Sequence, residues 1–145
     1  MAIKQAADSV QEASDRFYDA LTQMANGDAK PMRKLWVHGD DVTTMHPIGG
    51  REMGWSEVKQ SWEMVADVAE GGEVTPSNRF INVMGDVAYE LVTESVTMTL
   101  AGQTIESEYR ATNVYHLVKD EWKLVHHHAD TDPEFIELVQ SLGPE

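Results

Sequence analysis

Four segments decide the fold: EVTPSNRFINVM (73–84), VAYELVTESVTMTL (87–100), TIESEYRATNVYHLV (104–118) and EWKLVHHHAD (121–130). None carries a helical apolar period, and all are rich in β-branched and aromatic residues. Turn signals separate them at Gly85-Asp86, Ala101-Gly102 and Lys119-Asp120-Glu121. Connections this short join neighbouring strands, so the spacing predicts an antiparallel meander. Strands this long coil, and the sheet should therefore curve around something.

Upstream, Val10, Ala13, Phe17, Leu21 and Met24 recur at helical spacing and stop at Asn26-Gly27, which predicts a helix over 3–25. Pro31 suits the first turn of a short helix from Lys30 to Trp36, broken by His38-Gly39-Asp40. Val42 to His46 reads as a strand ending in a turn at Pro47 and Gly49-Gly50. Trp55, Val58, Trp62 and Val65 place a third helix over 55–69, and Pro133 opens a last helical pattern through Phe135, Leu138 and Val139. The expectation is one α+β domain over 1–145, with three N-terminal helices packed into a cone-shaped, curved antiparallel sheet around an apolar pocket.

Composition excludes several classes of function. The 145 residues carry a formal charge of −14, which repels phosphate backbones and anionic lipid, so neither nucleic acid nor a membrane surface is an expected partner. No apolar run is long enough to span a bilayer, and residues 1–8 lack the apolar block of a secretory signal, which points to the cytoplasm. Absence of cysteine removes disulfides, thiolate metal sites and thiol nucleophiles.

The element order resembles the nuclear transport factor 2-like superfamily, the cystatin-like α+β roll of ketosteroid isomerase and the SnoaL-like polyketide cyclases. Three motifs carry the likeness to the SnoaL-like subgroup over about residues 8–132: Val42-Thr43-Thr44-Met45-His46-Pro47-Ile48-Gly49-Gly50, Tyr109-Arg110-Ala111-Thr112-Asn113-Val114-Tyr115, and Trp122-Lys123-Leu124-Val125-His126-His127-His128-Ala129-Asp130. The resemblance implies that His46 takes the place of the isomerase's catalytic carboxylate and Asn113 that of its oxyanion-hole acid. The isomerase's helix tyrosine maps nearest to Ala20, with Tyr18 two residues away and on another helix face.

Imidazole, with an ordinary pKa of about 6.5, suits His46 to proton transfer; a His beside a proline turn also serves simply by bonding the backbone. Asn113 is the expected amide donor to a substrate oxygen, unless it satisfies a neighbouring side chain. Strand alternation turns Tyr109, Ala111 and Tyr115 to the same face as Asn113, and carried through the hairpin it turns Val125, His127 and Ala129 inward and Trp122, Leu124, His126 and His128 outward. Trp36, Trp55, Val58, Trp62, Tyr89, Tyr109, Tyr115 and His127 are the expected pocket wall, some of them serving only as core.

Three consecutive histidines alternate faces on a strand, so they cannot share one ion, and neither a metal nor another cofactor is expected. The His-His-His stretch is followed by Ala129-Asp130 and lacks the serines that accompany it in some metal-free carbonic anhydrases of the superfamily. A convex sheet face bearing Arg110, Thr112, His116, His126 and His128 with Trp122 and Leu124 implies a homodimer. Two functions fit: a cofactor-independent lyase, isomerase or hydrolase acting on a small hydrophobic carbonyl or hydroxyl compound, with His46 as base, or a non-catalytic module for ligand binding or association.

Overall fold

Helix α1 (Ile3–Ala25) buries Val10, Ala13, Phe17, Leu21 and Met24 along one stripe, as their spacing predicts. The structure is a computed structural model describing residues 3–142, with side chains described from Asp8 onward. Gly27, at φ +96°, ends α1 by donating its N–H to the Met24 carbonyl. Lys30–Lys34 form a single 3-10 turn, shorter than the helix expected there.

Strand β1 (Thr43–His46) is followed by an unforeseen strand, β2 (Gly49–Met53), in the segment read as a turn. Gly49 and Gly50 take φ of +91° and +79°, which lets the chain reverse and pair back on β1. Helix α2 (Trp55–Val68) comes next, and then β3 (Ala69–Met84), β4 (Val87–Leu100), β5 (Gln103–Val118), β6 (Glu121–Ala129) and α3 (Pro133–Ser141). The long strands stand where the four segments predict, β3 starting earlier, at Ala69.

One sheet holds all six strands in the order β2-β1-β6-β5-β4-β3. Its pairs are antiparallel except β1 with β6, which run parallel, so the expected all-antiparallel sheet has one exception. Register shifts near Gly72 and after Ser77 bend β3 over α1. There Thr22 Oγ1 bonds both backbone groups of Val74, and Asn26 Nδ2 donates to the Gly72 carbonyl. Gly72 is required for this bend, because a Cβ on it would lie 2.2 Å from the Thr97 carbonyl oxygen.

The concave face carries Ala88, Val92, Val96, Met98, Tyr109, Ala111 and Tyr115, all buried beneath α1 and α2. Tyr89 corrects the expectation: it lies on the convex face opposite Asn82, its ring 6.2 Å from that of Phe80. A second correction concerns β6. Val114 pairs with His126 but Tyr115 with Leu124, so Val125 is the extra residue of a bulge. Trp122 and Leu124 therefore turn inward and are buried, although His127 and Ala129 face the core as expected. On its other edge the backbone of Leu124 exchanges hydrogen bonds with Leu35 and Val37. Among the described residues no helix is long and apolar enough to cross a membrane.

Candidate active site

A strand whose inward positions are Ala88, Val92, Val96, Met98 and Leu100 also turns Glu90 and Glu94 inward. Two carboxyls are thereby carried into an apolar interior, where burial is costly unless hydrogen bonds or neutralisation compensate. Glu90 is compensated by donors: Ser14 Oγ at 2.7 Å on Oε2, and Asn113 Nδ2 at 3.0 Å and Tyr115 Oη at 2.8 Å on Oε1. Arg79 Nε stands 3.9 Å from it, while another guanidinium nitrogen of Arg79 binds Asp15.

Glu94 is compensated differently. Tyr18 Oη donates to its Oε2 at 2.7 Å, and among the described residues Oε1 accepts nothing. Burial pushes its pKa up to about 7, the Tyr18 bond opposing and nearby Glu90 reinforcing the shift. Desolvation, with Glu94 beside it, likewise holds the Tyr18 phenol well above its usual range.

Behind these groups lies Asn113, fully buried. Its Oδ1 accepts from His127 Nδ1 at 2.6 Å, and its Nδ2 donates to Tyr18 Oη and Glu90 Oε1, each at 3.0 Å. Both amide hydrogens are thus committed within the protein, and the donor role expected for Asn113 toward a substrate has no free hydrogen to perform it. Because Oδ1 can only accept, His127 carries its proton on Nδ1 and its lone pair on Nε2, 3.8 Å from Glu94 Oε2. This contact is no ion pair at neutral pH, since burial, with His46 nearby, lowers the His127 pKa well below that of free imidazole.

The turn after β1 sets His46 by a parallel device. Ser61 Oγ spends its proton on the Val58 carbonyl at 2.6 Å, so at 2.8 Å it accepts from His46 Nε2. The ring is neutral, its pKa lowered to about 4 by burial, and its lone pair sits on Nδ1. Glu52 Oε1 lies 3.4 Å from Nε2 and is also held by Thr44 Oγ1.

His46, Glu94 and His127 line one cavity with Trp62, Tyr109, Phe135, Met24, Met98 and other apolar side chains, leaving about 50 Å³ open to the centres of water molecules. The structure thus brings together four of the expected residues, His46, Trp62, Tyr109 and His127. Asn113 and Tyr115 lie behind them in the polar network. Trp36 is core, packed on Phe17 and Trp62; Val58 is buried off the cavity and contributes its carbonyl; Trp55 stacks on His38 at 4.3 Å, away from the site. Tyr109 donates to Asp132 Oδ2 at 2.8 Å, beside Ser107 at 3.0 Å, while Asp132 Oδ1 caps α3 and so places Phe135 on the cavity.

Glu90, Glu94, Tyr18 and Ser61 are the groups that sequence reasoning did not select. The carboxylates were legible, since both fall on the even-numbered apolar face of β4. Tyr18 follows Ser14 and precedes Leu21 on the buried side of α1, a better guide than its offset from a homologous tyrosine. Among the described residues no group of three or more His, Asp or Glu could hold a metal ion.

A family model described as a SnoaL-like domain matches residues 10–130. A proposed dehydratase of the nuclear transport factor 2-like family from Streptomyces avermitilis is 26% identical, with a TM-score of 0.80 over 90% of this chain and 99% of that one. A nuclear transport factor 2-like superfamily protein from Salmonella enterica shares the fold at 19% identity, with a TM-score of 0.81 over 90% of this chain and 93% of that one. The F-box protein SKIP8 of Arabidopsis thaliana is 28% identical over 98 residues, which are 68% of this chain but only 40% of the length of that curated relative.

Proposed function

Since the chain belongs to the SnoaL-like domain family of the nuclear transport factor 2-like fold, we propose that it is an enzyme moving a proton on a small hydrophobic oxygen compound, with elimination of water as the representative reaction. The observation that carries this reading is one cavity lined by a neutral imidazole, His46, and a carboxyl, Glu94, whose pKa of about 7 keeps it partly protonated at neutral pH. Acid and base held in opposite protonation states are what a concerted elimination requires.

In that reaction His46 Nδ1 takes the proton from the carbon next to the carbinol carbon, and the C–H electrons form the C=C bond. The C–O bond breaks, its electrons leave on oxygen, and the Glu94 proton completes a water molecule. His46 ends protonated and Glu94 ionised, and a proton passing from His46 to Glu94 through water or His127 restores both. Asn113 acts as a positioning residue by holding the His127 tautomer. The likeness to a proposed dehydratase supports this choice of reaction; isomerisation would use the same two groups.

Glu94→Gln removes the acid but keeps an acceptor for Tyr18, and His46→Gln removes the base. Each should lower kcat by about 10²–10⁴ on a dehydratable alcohol found by screening, with the fold retained by circular dichroism. Turnover unaffected by either substitution would refute the assignment, and absence of any turnover with ligand still bound would leave the ligand-binding alternative.

A further inference from the structure

The hydrogen-bond directions around the cavity determine more than the identity of the acid and base. Ser61 forces the His46 proton onto Nε2, and Asn113 forces the His127 proton onto Nδ1. Each histidine is left with a lone pair, on Nδ1 and Nε2 respectively, and among the described residues neither lone pair accepts a hydrogen bond. Glu94 Oε1 is a third acceptor in the same state, because the Tyr18 hydroxyl is already spent on Oε2 and the Tyr109 hydroxyl on Asp132. Among the described residues no Lys or Arg lines the cavity, and the Trp62 indole N–H is sealed from open space.

The polar end of this apolar cavity is therefore rich in acceptors and poor in donors. Resting on the catalytic reading above, we infer that it selects a small uncharged molecule that brings its own donor, an alcohol or phenol, over the matching ketone or ether and over any carboxylate. A ketone oxygen would meet three lone pairs, and a carboxylate would add a buried charge with no cation to pair with. A hydroxyl would donate to one acceptor and lose nothing. One ring or a short branched chain suits the limited space, with Trp62, Tyr109 and Phe135 as broad apolar walls.

One condition removes the preference. Protonated Glu94 is itself a donor, so lowering the pH below about 7 supplies the hydrogen that a ketone needs.

The test uses the intact protein with cyclopentanol, cyclopentanone and cyclopentanecarboxylate as probes, and calorimetry to read binding without turnover. At pH 8 the alcohol should bind about tenfold or more tighter than the ketone, and the carboxylate not measurably. At pH 5.5 the ratio of alcohol to ketone should fall toward one, and Glu94→Gln, whose amide donates, should give the same fall at pH 8. Val96→Phe, which fills the cavity, should abolish binding. Equal or tighter ketone binding at pH 8, no binding of either neutral probe, or binding that survives Val96→Phe would each overturn the inference. If the preference holds while Glu94→Gln leaves turnover intact, the catalytic reading fails and the selectivity stands.

Discussion

Glu94 and His46 titrate in opposite senses, and that gives the site a pH signature. The unfolded chain ionises Glu94 from about pH 4.5, whereas the folded protein holds the proton until about pH 7. The neutral carboxyl favours the fold below pH 4.5, and this contribution is lost as pH rises to 7. Glu94→Gln should therefore raise Tm at pH 8 by about 5 °C and change it little at pH 4.5, measured by calorimetry. His46 works in reverse: its pKa falls from 6.5 to about 4, so its contribution is complete above pH 6.5 and is lost as pH falls through that window. Catalysis by both groups predicts a bell-shaped kcat/KM with limbs near pH 4 and 7, and loss of the alkaline limb in Glu94→Gln. A profile that keeps that limb in the variant would assign it to another group.

At the scale of elements, two local departures shape the site. Bending of β3 over α1 depends on Gly72, where the Thr97 carbonyl leaves no room for a side chain. Gly72→Ala should cost about 2–4 kcal/mol in urea denaturation, more than a strand glycine in open space. Helix α3 depends on Asp132, which caps it with one oxygen and holds Tyr109 and Ser107 with the other. Asp132→Ala should destabilise the fold by about 1–2 kcal/mol and raise Kd for a cavity ligand, because Tyr109 and Phe135 lose their common anchor. Helices and strands were legible from periodicity, which involves residues a few positions apart. The Val125 bulge was not: one extra residue reverses every facing before it, and the alternation of Trp122 to His128 reads equally well in either register.

Over the whole molecule, the convex face is the remaining candidate for partnership. Its exposed large apolar side chains are Phe80, Met84 and Leu91, each about half exposed, whereas Trp122 and Leu124 face the core. His126 and His128 stand on the same face, their rings 6.3 Å apart. We propose that this face pairs with a second copy. Burial, with His128 nearby, lowers the His126 pKa, so protonation comes late and then adds charge beside a like group. Sedimentation should show a dimer at pH 7.5 that dissociates toward pH 5, and Leu91→Asp should give a monomer at both; a monomer at pH 7.5 or a dimer intact at pH 5 would count against it.

Read by itself, the sequence determined the main helices, the four long strands and their curvature, because each follows from local spacing, while the family likeness rested on three motifs. Only the tertiary structure decided that Asn113 spends both amide hydrogens inside the protein, that Tyr18 reaches Glu94, and that His46 and Glu94 share a cavity. Those contacts join residues 76 to 95 positions apart for the Tyr18–Glu94 and Tyr18–Asn113 bonds. Their geometry is set by how a bent sheet closes on a helix, and no local pattern carries that information.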